Sequence, residues 1–311
     1  MLIVPILEFR LAEHDPVMVS EIVEELALKP GDVAVDGTLG LGGHSEMFAR
    51  AISPGGTLVA TEWDETMLAR ARERLFQVVE NDAPRVGLHL FHDDFRNLSV
   101  NLLGLGLKAN GILLDLGLNS AQVNDPNRGI SFLQDGPLDM RMDRSRGESA
   151  ASLLNRATPY EIERMLSDYG DERWARRIAQ KVVERRRDKP LRTTADLVEC
   201  VLAAIPVAAR EKRIHPATRT FQSVRIAVNG ELNGLDEALR SAARSLAASG
   251  KLAVLSYHSG EDRVVKQTFR DLVEEGFTDL HKKPLVPSEQ EISRNPRSRS
   301  AKLRVLQRPG Q

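Results

Sequence analysis

The stretch Val33-Ala34-Val35-Asp36-Gly37-Thr38-Leu39-Gly40-Leu41-Gly42-Gly43-His44-Ser45 constrains this chain more than any other. An apolar run that stops at an acid and gives way to glycines predicts a buried parallel strand, a tight turn and a helix starting near Ser45. Such a corner turns helix N–H groups and the positive end of the helix dipole toward a ligand at the carboxyl edge of an open α/β sheet.

The turn departs from the dinucleotide pattern G-x-G-x-x-G, because Ser45 stands where the third glycine belongs. Asp36 at the strand tip repels a pyrophosphate but can pair with an amino group or accept from a hydroxyl. That suits S-adenosylmethionine, a cationic cofactor without phosphates. About twenty residues on, Gly56 to Thr61 reads as a second strand ending at Glu62, the position from which an acid holds ribose hydroxyls. A helix from Glu65 to Val79 follows. A nicotinamide-dependent oxidoreductase, the competing use of such a corner, is disfavoured by the missing glycine and by acids where the pyrophosphate would lie.

A third strand, Val86 to His92, ends in His92-Asp93-Asp94-Phe95, where Phe95 is placed either to stack on an adenine or to fill core. The fourth, Gly111-Ile112-Leu113-Leu114-Asp115-Leu116-Gly117, again stops at an acid and leads into Asn119, Ser120 and Gln122. In a parallel sheet these polar groups line the site.

At 311 residues the chain accommodates one large α/β domain plus an insertion of about 100 residues. No apolar run reaches the ~18 residues of a membrane helix, and the apolar start Met1 to Leu7 is too short and lacks the basic opening of a signal peptide. The lone cysteine, Cys200, excludes an internal disulfide framework and fits a reducing, cytoplasmic setting, with helix packing as its expected role. The net charge of −1 conceals segregation: nine Lys/Arg against two acids from Arg173 to Arg192, and eight against two from His281 to Gln311. Basic blocks on an otherwise acidic chain are the footprint of a polyanion binder.

Ahead of the glycine corner, Glu13-His14-Asp15-Pro16 leads into a helix over Val19 to Leu26. Past the fourth strand the βα alternation breaks. Asn124 to Gly129 is turn chemistry, and Asp135 to Arg144 alternates charges with methionines. From Ser149 to Ile205 the periodicity is helical, with Thr158-Pro159-Tyr160-Glu161 resembling a capping box. Residues 126–216 are therefore read as an inserted all-helical, RNA-recognising domain, and residues 1–125 with 217–311 as a discontinuous Rossmann-like open-sheet domain. In the latter, Lys251 to Ser259 is a fifth strand, Glu261 to Glu274 a helix, and Ala301 to Gln307 a final edge strand.

These runs together resemble the MraW family, the ribosomal RNA small subunit methyltransferase H enzymes. The resemblance rests on Asp36-Gly37-Thr38 with Gly40 and Gly42-Gly43-His44-Ser45, on Gly111 to Gly117, on Asp135 to Asp143, on His215 to Gln222 and on Ser256 to Arg263. It implies a class I methyltransferase fold and S-adenosylmethionine-dependent N4-methylation of a cytidine in the decoding region of bacterial small-subunit rRNA. The partner would be that RNA or the assembled small subunit, with a homodimer allowed and neither DNA nor membrane expected. Cofactor contacts carry over onto Gly42, Gly43, His44, Glu62, Phe95, Asp115 and Gln122, joined by Asp36 from the reading of the turn. The chain departs from the family pattern at Glu62, where Asp is usual, at Asn119, where Ser is usual, and at Tyr257 and Gly260, which replace a Phe and a Leu.

Methyl transfer to an exocyclic amine is an in-line displacement that requires no metal and no covalent intermediate, so positioning dominates. Cytosine N4 is a poor nucleophile, and an acceptor on one of its hydrogens raises its reactivity as positive charge develops. Asn119 and Ser120 are the first candidates for that contact, and Asp139, Asp143 and His258 the second. Their structural alternatives are a salt-bridged hinge for the acids and a strand-end packing histidine. A non-catalytic RNA-binding factor on the same fold, or a small-molecule methyltransferase, are the remaining alternatives.

Overall fold

The computed structural model describes residues 16–211 and 214–310. The expectations for Met1 to Leu7 and for Glu13 to Asp15 fall outside them. The chain divides into two compact units, residues 1–120 with 234–311 and residues 121–233.

The first unit opens with α1 (Val19–Leu26), β1 (Val33–Asp36), α2 (Gly43–Ile52), β2 (Thr57–Glu62), α3 (Glu65–Asn81), β3 (Gly87–His92), α4 (Leu98–Gly104) and β4 (Ala109–Asp115). A short α5 (Ser120–Asn124) leads into the second unit, which holds α6 (Ala150–Arg156), α7 (Pro159–Gly170), α8 (Ala175–Asp188), α9 (Thr194–Ala204) and α10 (Thr218–Asn229). The chain returns to the first unit through α11 (Leu235–Arg244), β5 (Leu246–Ser256), α12 (Ser259–Glu274), β6 (Thr278–Asp279), α13 (Glu289–Arg294) and β7 (Lys302–Gln307).

The seven strands run in the order β3-β2-β1-β4-β5-β7-β6, and β7 is antiparallel to both of its neighbours while β1 to β5 pair in parallel. This is the Rossmann-like open sheet expected from the sequence, with one antiparallel strand inserted between β5 and β6. Alternation along the strands divides the core into two faces. Ala34, Leu58, Leu113, Ala253 and Leu303 pack with Ile22, Phe48, Ile52, Leu68 and Leu75 from α1, α2 and α3. Val35, Val59, Ile112 and Val254, one residue out of phase and equally buried, point the other way, and α11 packs against α4, α12 and β5. Covering both faces is what lets the parallel strands read as unbroken apolar runs.

β7 is not the edge strand its alternation suggested. β6 lies outside it, and at two residues β6 is too short to leave a periodic signal. The position also explains a buried arginine: Arg304 Nε donates to Asp262 at 2.8 Å, and Lys302 Nζ pairs with the same carboxylate at 2.8 Å.

In the helical unit, Leu154, Ile162, Leu166, Ile178, Val182, Leu197, Val201, Phe221 and Val224 form one apolar core. Thr158 with Glu161 and Thr193 with Asp196 make reciprocal capping boxes that start α7 and α9. The charge-and-methionine loop has a packing explanation. Leu138 and Met140 belong to this core, and Asn229 on α10 donates to the Met140 carbonyl at 2.9 Å and accepts the Met142 N–H at 2.8 Å. α10 therefore sits in the helical unit, whereas boundaries drawn from sequence at 126 and 216 place it with the sheet.

Candidate active site

The carboxyl ends of β1, β2 and β4 bring three acids together. Asp36 is level with Ala60 on β2 and Leu113 on β4, so the strand tips end on one edge. Asp36, only 1% exposed, accepts from Ser45 Oγ at 2.7 Å and from the Thr38 N–H at 3.2 Å. Thr38 Oγ1 in turn accepts the Asp115 N–H at 2.7 Å. Glu62 accepts the Gly40 N–H at 2.7 Å and, through its other oxygen, the Asp64 N–H at 2.9 Å. Thr61 Oγ1 donates to the Gly37 carbonyl at 2.6 Å, completing the seam between the turn and β2.

The turn is glycine-rich for local reasons. Gly40 and Gly42 hold positive φ of 53° and 80°, and a Cβ on Gly40 would approach Asn119 Nδ2 to 3.0 Å. Gly42 caps α2 without a side-chain bond, so the first turn of α2 presents its N–H groups beside the acids. His44, in that first turn, hydrogen-bonds the Val17 carbonyl through Nε2 at 2.9 Å, and its Nδ1 lies 3.9 Å from Asp115 Oδ2. Phe95 opens a short 3₁₀ turn after β3 that Asp94 caps, and the Arg96 guanidinium sits 5.2 Å from its ring.

The electrostatics say what this corner accepts. Burial holds Asp36 above the usual carboxylate range, and the Asp115 charge adds to it. Burial pushes Glu62 up to about 7 against the opposing pull of the Asp64 and Gly40 N–H groups, and the charges of Asp64 and Asp36 raise it further. Acids that already repel one another repel a pyrophosphate. A sulfonium, an ammonium and ribose hydroxyls fit the same groups, the cations by charge and the hydroxyls as donors to Glu62.

The MraW methylase family profile matches residues 11–309. The chain belongs to the MraW methylase family. Its cofactor is S-adenosylmethionine, which the acidic corner fits. Curated MraW relatives carry the name ribosomal RNA small subunit methyltransferase H. The one from Trichlorobacter lovleyi is 41% identical over 314 residues, covering 96% of this chain and 98% of the relative. Those from Geobacter sp. strain M21 and Heliobacterium modesticaldum are each 42% identical, covering 95% of this chain and 98% of the relative.

Within this MraW chain the remaining expected site residues fall as follows. Asn119 is buried beside Gly40. Ser120 begins α5, and its side chain lies outside the described residues. Gln122 and Asp139 belong to the helical unit, where both are buried. Asp139 is held by Arg141 at 2.7 Å and by Arg144 at 3.5 Å; burial raises its carboxyl, but the Arg141 hydrogen bonds carry it below the usual range. Asp143 pairs with Arg146 at 2.9 Å. His258 caps α12: its Nδ1 accepts the Glu261 N–H at 3.3 Å, and Glu261 accepts the His258 N–H at 3.2 Å. Thr38 holds Asp115 by accepting its N–H and was not marked as a site residue by the sequence; the polar residue two places past Asp36 was the available signal.

The first basic block is α8 and its flanks. Arg185 pairs with Asp196 at 2.8 Å and Lys181 with Glu184 at 2.7 Å, so part of the block is structural. Arg173, Arg176, Arg177, Arg187 and Arg192 are exposed. Among the described residues no helix is long and apolar enough to cross a membrane.

Proposed function

We propose that this MraW-family chain transfers a methyl group to N4 of a cytidine in the decoding region of small-subunit rRNA, acting in the cytoplasm. The observation that carries the reading is the meeting of Asp36, Glu62 and Asp115 beside the glycine turn, in a chain whose second unit exposes arginines along α8. The relatives' names support rRNA as the substrate, and the motif resemblance supports cytidine N4.

When bound, S-adenosylmethionine supplies an electrophilic methyl on a sulfonium. Glu62 takes the ribose hydroxyls, Phe95 lies against the adenine, and the N–H groups of Gly42, Gly43 and His44 serve the cofactor's carboxylate. Asp36 organises the turn and contributes its charge, being too enclosed to reach a ligand directly. Asp115 meets the cofactor at the β4 tip, and Gln122 follows beyond it. Asn119 and Ser120 orient the acceptor amine, because Asp139 is committed to Arg141 and His258 to the α12 cap. The exposed arginines of α8 take the RNA phosphates, and the target base leaves its stack to react.

The test is a map of methylated cytidines in small-subunit rRNA from cells with and without the protein. The reading requires one N4-methylcytidine signal to vanish without the protein and return with it. An unchanged map contradicts it.

A further inference from the structure

The buried carboxylate of Glu46, in the first turn of α2, is shared by two arginines. Arg50, one helical turn on, reaches it with Nη2 at 2.8 Å and with the same nitrogen meets Asp82, just past the end of α3, at 2.9 Å. Arg74, midway along α3, donates to Glu46 Oε2 through Nε at 2.7 Å and places Nη2 2.6 Å from the same oxygen. Its remaining nitrogen, Nη1, donates to the Leu41 carbonyl at 3.4 Å, inside the glycine turn. One planar fork therefore joins the turn, the start of α2 and α3. The same face of α3 packs on the turn: the Ala71 and Leu75 side chains lie 3.6 and 3.7 Å from where a Cβ on Gly42 would stand. The two residues that Arg74 grips, Leu41 and Glu46, bracket the N–H groups of Gly42, Gly43 and His44.

We propose that Arg74 is a positioning residue for the carboxylate of S-adenosylmethionine: by gripping Leu41 and Glu46 it fixes the three N–H groups between them and offsets the Glu46 charge beside them. The inference rests on the reading that the Gly42, Gly43 and His44 N–H groups serve that carboxylate. An acid in the first turn of a helix competes with a bound anion for the same positive helix end, and like charges there repel. Pairing the acid removes the conflict. Arg50 is divided between Glu46 and Asp82, whereas the fork of Arg74 is given to Glu46 and the turn.

Arg74→Met keeps the packing stem and removes the fork. Calorimetric titration of the full chain, wild type and variant, uses two ligands: S-adenosylmethionine and its decarboxylated form, which lacks only the group those N–H groups are read to hold. The expected result is an about three- to tenfold weaker Kd for S-adenosylmethionine in Arg74→Met, with a change below about twofold for the decarboxylated form. A merely structural lesion weakens both ligands alike, so equal losses, or no loss for S-adenosylmethionine, overturn the proposal. Hydrogen exchange of the cofactor-free protein reads the geometry directly. Amides of residues 42–46 must exchange faster in the variant, and unmoved rates also overturn the proposal. Should Arg74→Met fail to fold, Arg74→Lys, which keeps the charge and loses the fork, gives the same comparison with an expected loss of about two- to fourfold. Equal affinity of wild type for the two ligands overturns the reading of the turn as the carboxylate site, and the proposal with it. A wild-type preference for the carboxylate-bearing form that survives intact in Arg74→Met overturns the proposal alone.

Discussion

Glu62 accepts the Gly40 N–H at 2.7 Å, tying the tip of β2 to the glycine turn that follows β1. A buried carboxylate that closes the turn is also the acid expected to meet the ribose, and the two duties give it a pH signature. In the unfolded chain Glu62 loses its proton near 4.5, whereas in the folded chain burial retains it to about 7. Between those values the folded state binds more protons than the unfolded one, so stability falls as pH rises and levels off above the folded value. The expected loss is roughly 3 kcal/mol. Urea unfolding of the cofactor-free protein across this window should show the decline, and Glu62→Gln should flatten it. Cofactor affinity should move oppositely, rising through about pH 7 as the carboxylate ionises.

Gly170 ends α7 where it meets α10. A Cβ there would come within 2.1 Å of Ser223 Oγ and 2.8 Å of the Arg219 carbonyl, and the backbone oxygen cannot give way cheaply. Gly170→Ala is expected to destabilise the helical unit by about 1–3 kcal/mol. Hydrogen exchange should accelerate in α7 and α10 while the calorimetric affinity for S-adenosylmethionine stays within about twofold, because the neighbours of Gly170, Ser223 and Arg219, are not among the cofactor contacts.

Much of the sheet was legible because its central strands are buried on both faces and β1, β2 and β4 each end at an acid. Asp36, Glu62 and Asp115 could be placed at strand tips before any coordinates. β6 and its covering of β7 were not legible, since two residues carry no period. The loop from Asp135 to Arg144 looked polar enough to be functional, yet Met140 is core and Asp139 an ion-pair partner, a distinction composition does not make. His258 read as a candidate for chemistry because its capping role depends on the Glu261 N–H three residues later, which only backbone geometry reveals.

The arginines of α8 do not all face one task. Arg185 is spent on Asp196 and Arg186 donates to the Leu154 carbonyl at 2.5 Å, so their removal would damage the fold. Replacing exposed Arg176, Arg177 and Arg187 with Ala should leave melting unchanged and weaken RNA binding in filter or fluorescence titrations. Each phosphate contact to single-stranded RNA contributes about 0.7 to the slope of log affinity against log salt, so the slope should fall by about 2.

Cys200 is buried on α9, and burial pushes its thiol up to about 11. It should resist an aromatic disulfide reagent in the native protein near pH 8, about three units below that value, and react promptly in denaturant, because only the thiolate attacks.

The acidic corner as the cofactor site is tested most directly by calorimetric titration of S-adenosylmethionine into wild type, Glu62→Ala and Asp115→Ala, with a nicotinamide dinucleotide as the control ligand. The account predicts saturable binding to wild type, at least about tenfold weaker binding to each variant, and no uptake of the dinucleotide. Undiminished affinity in both variants, or binding of the pyrophosphate-bearing ligand instead, would contradict it.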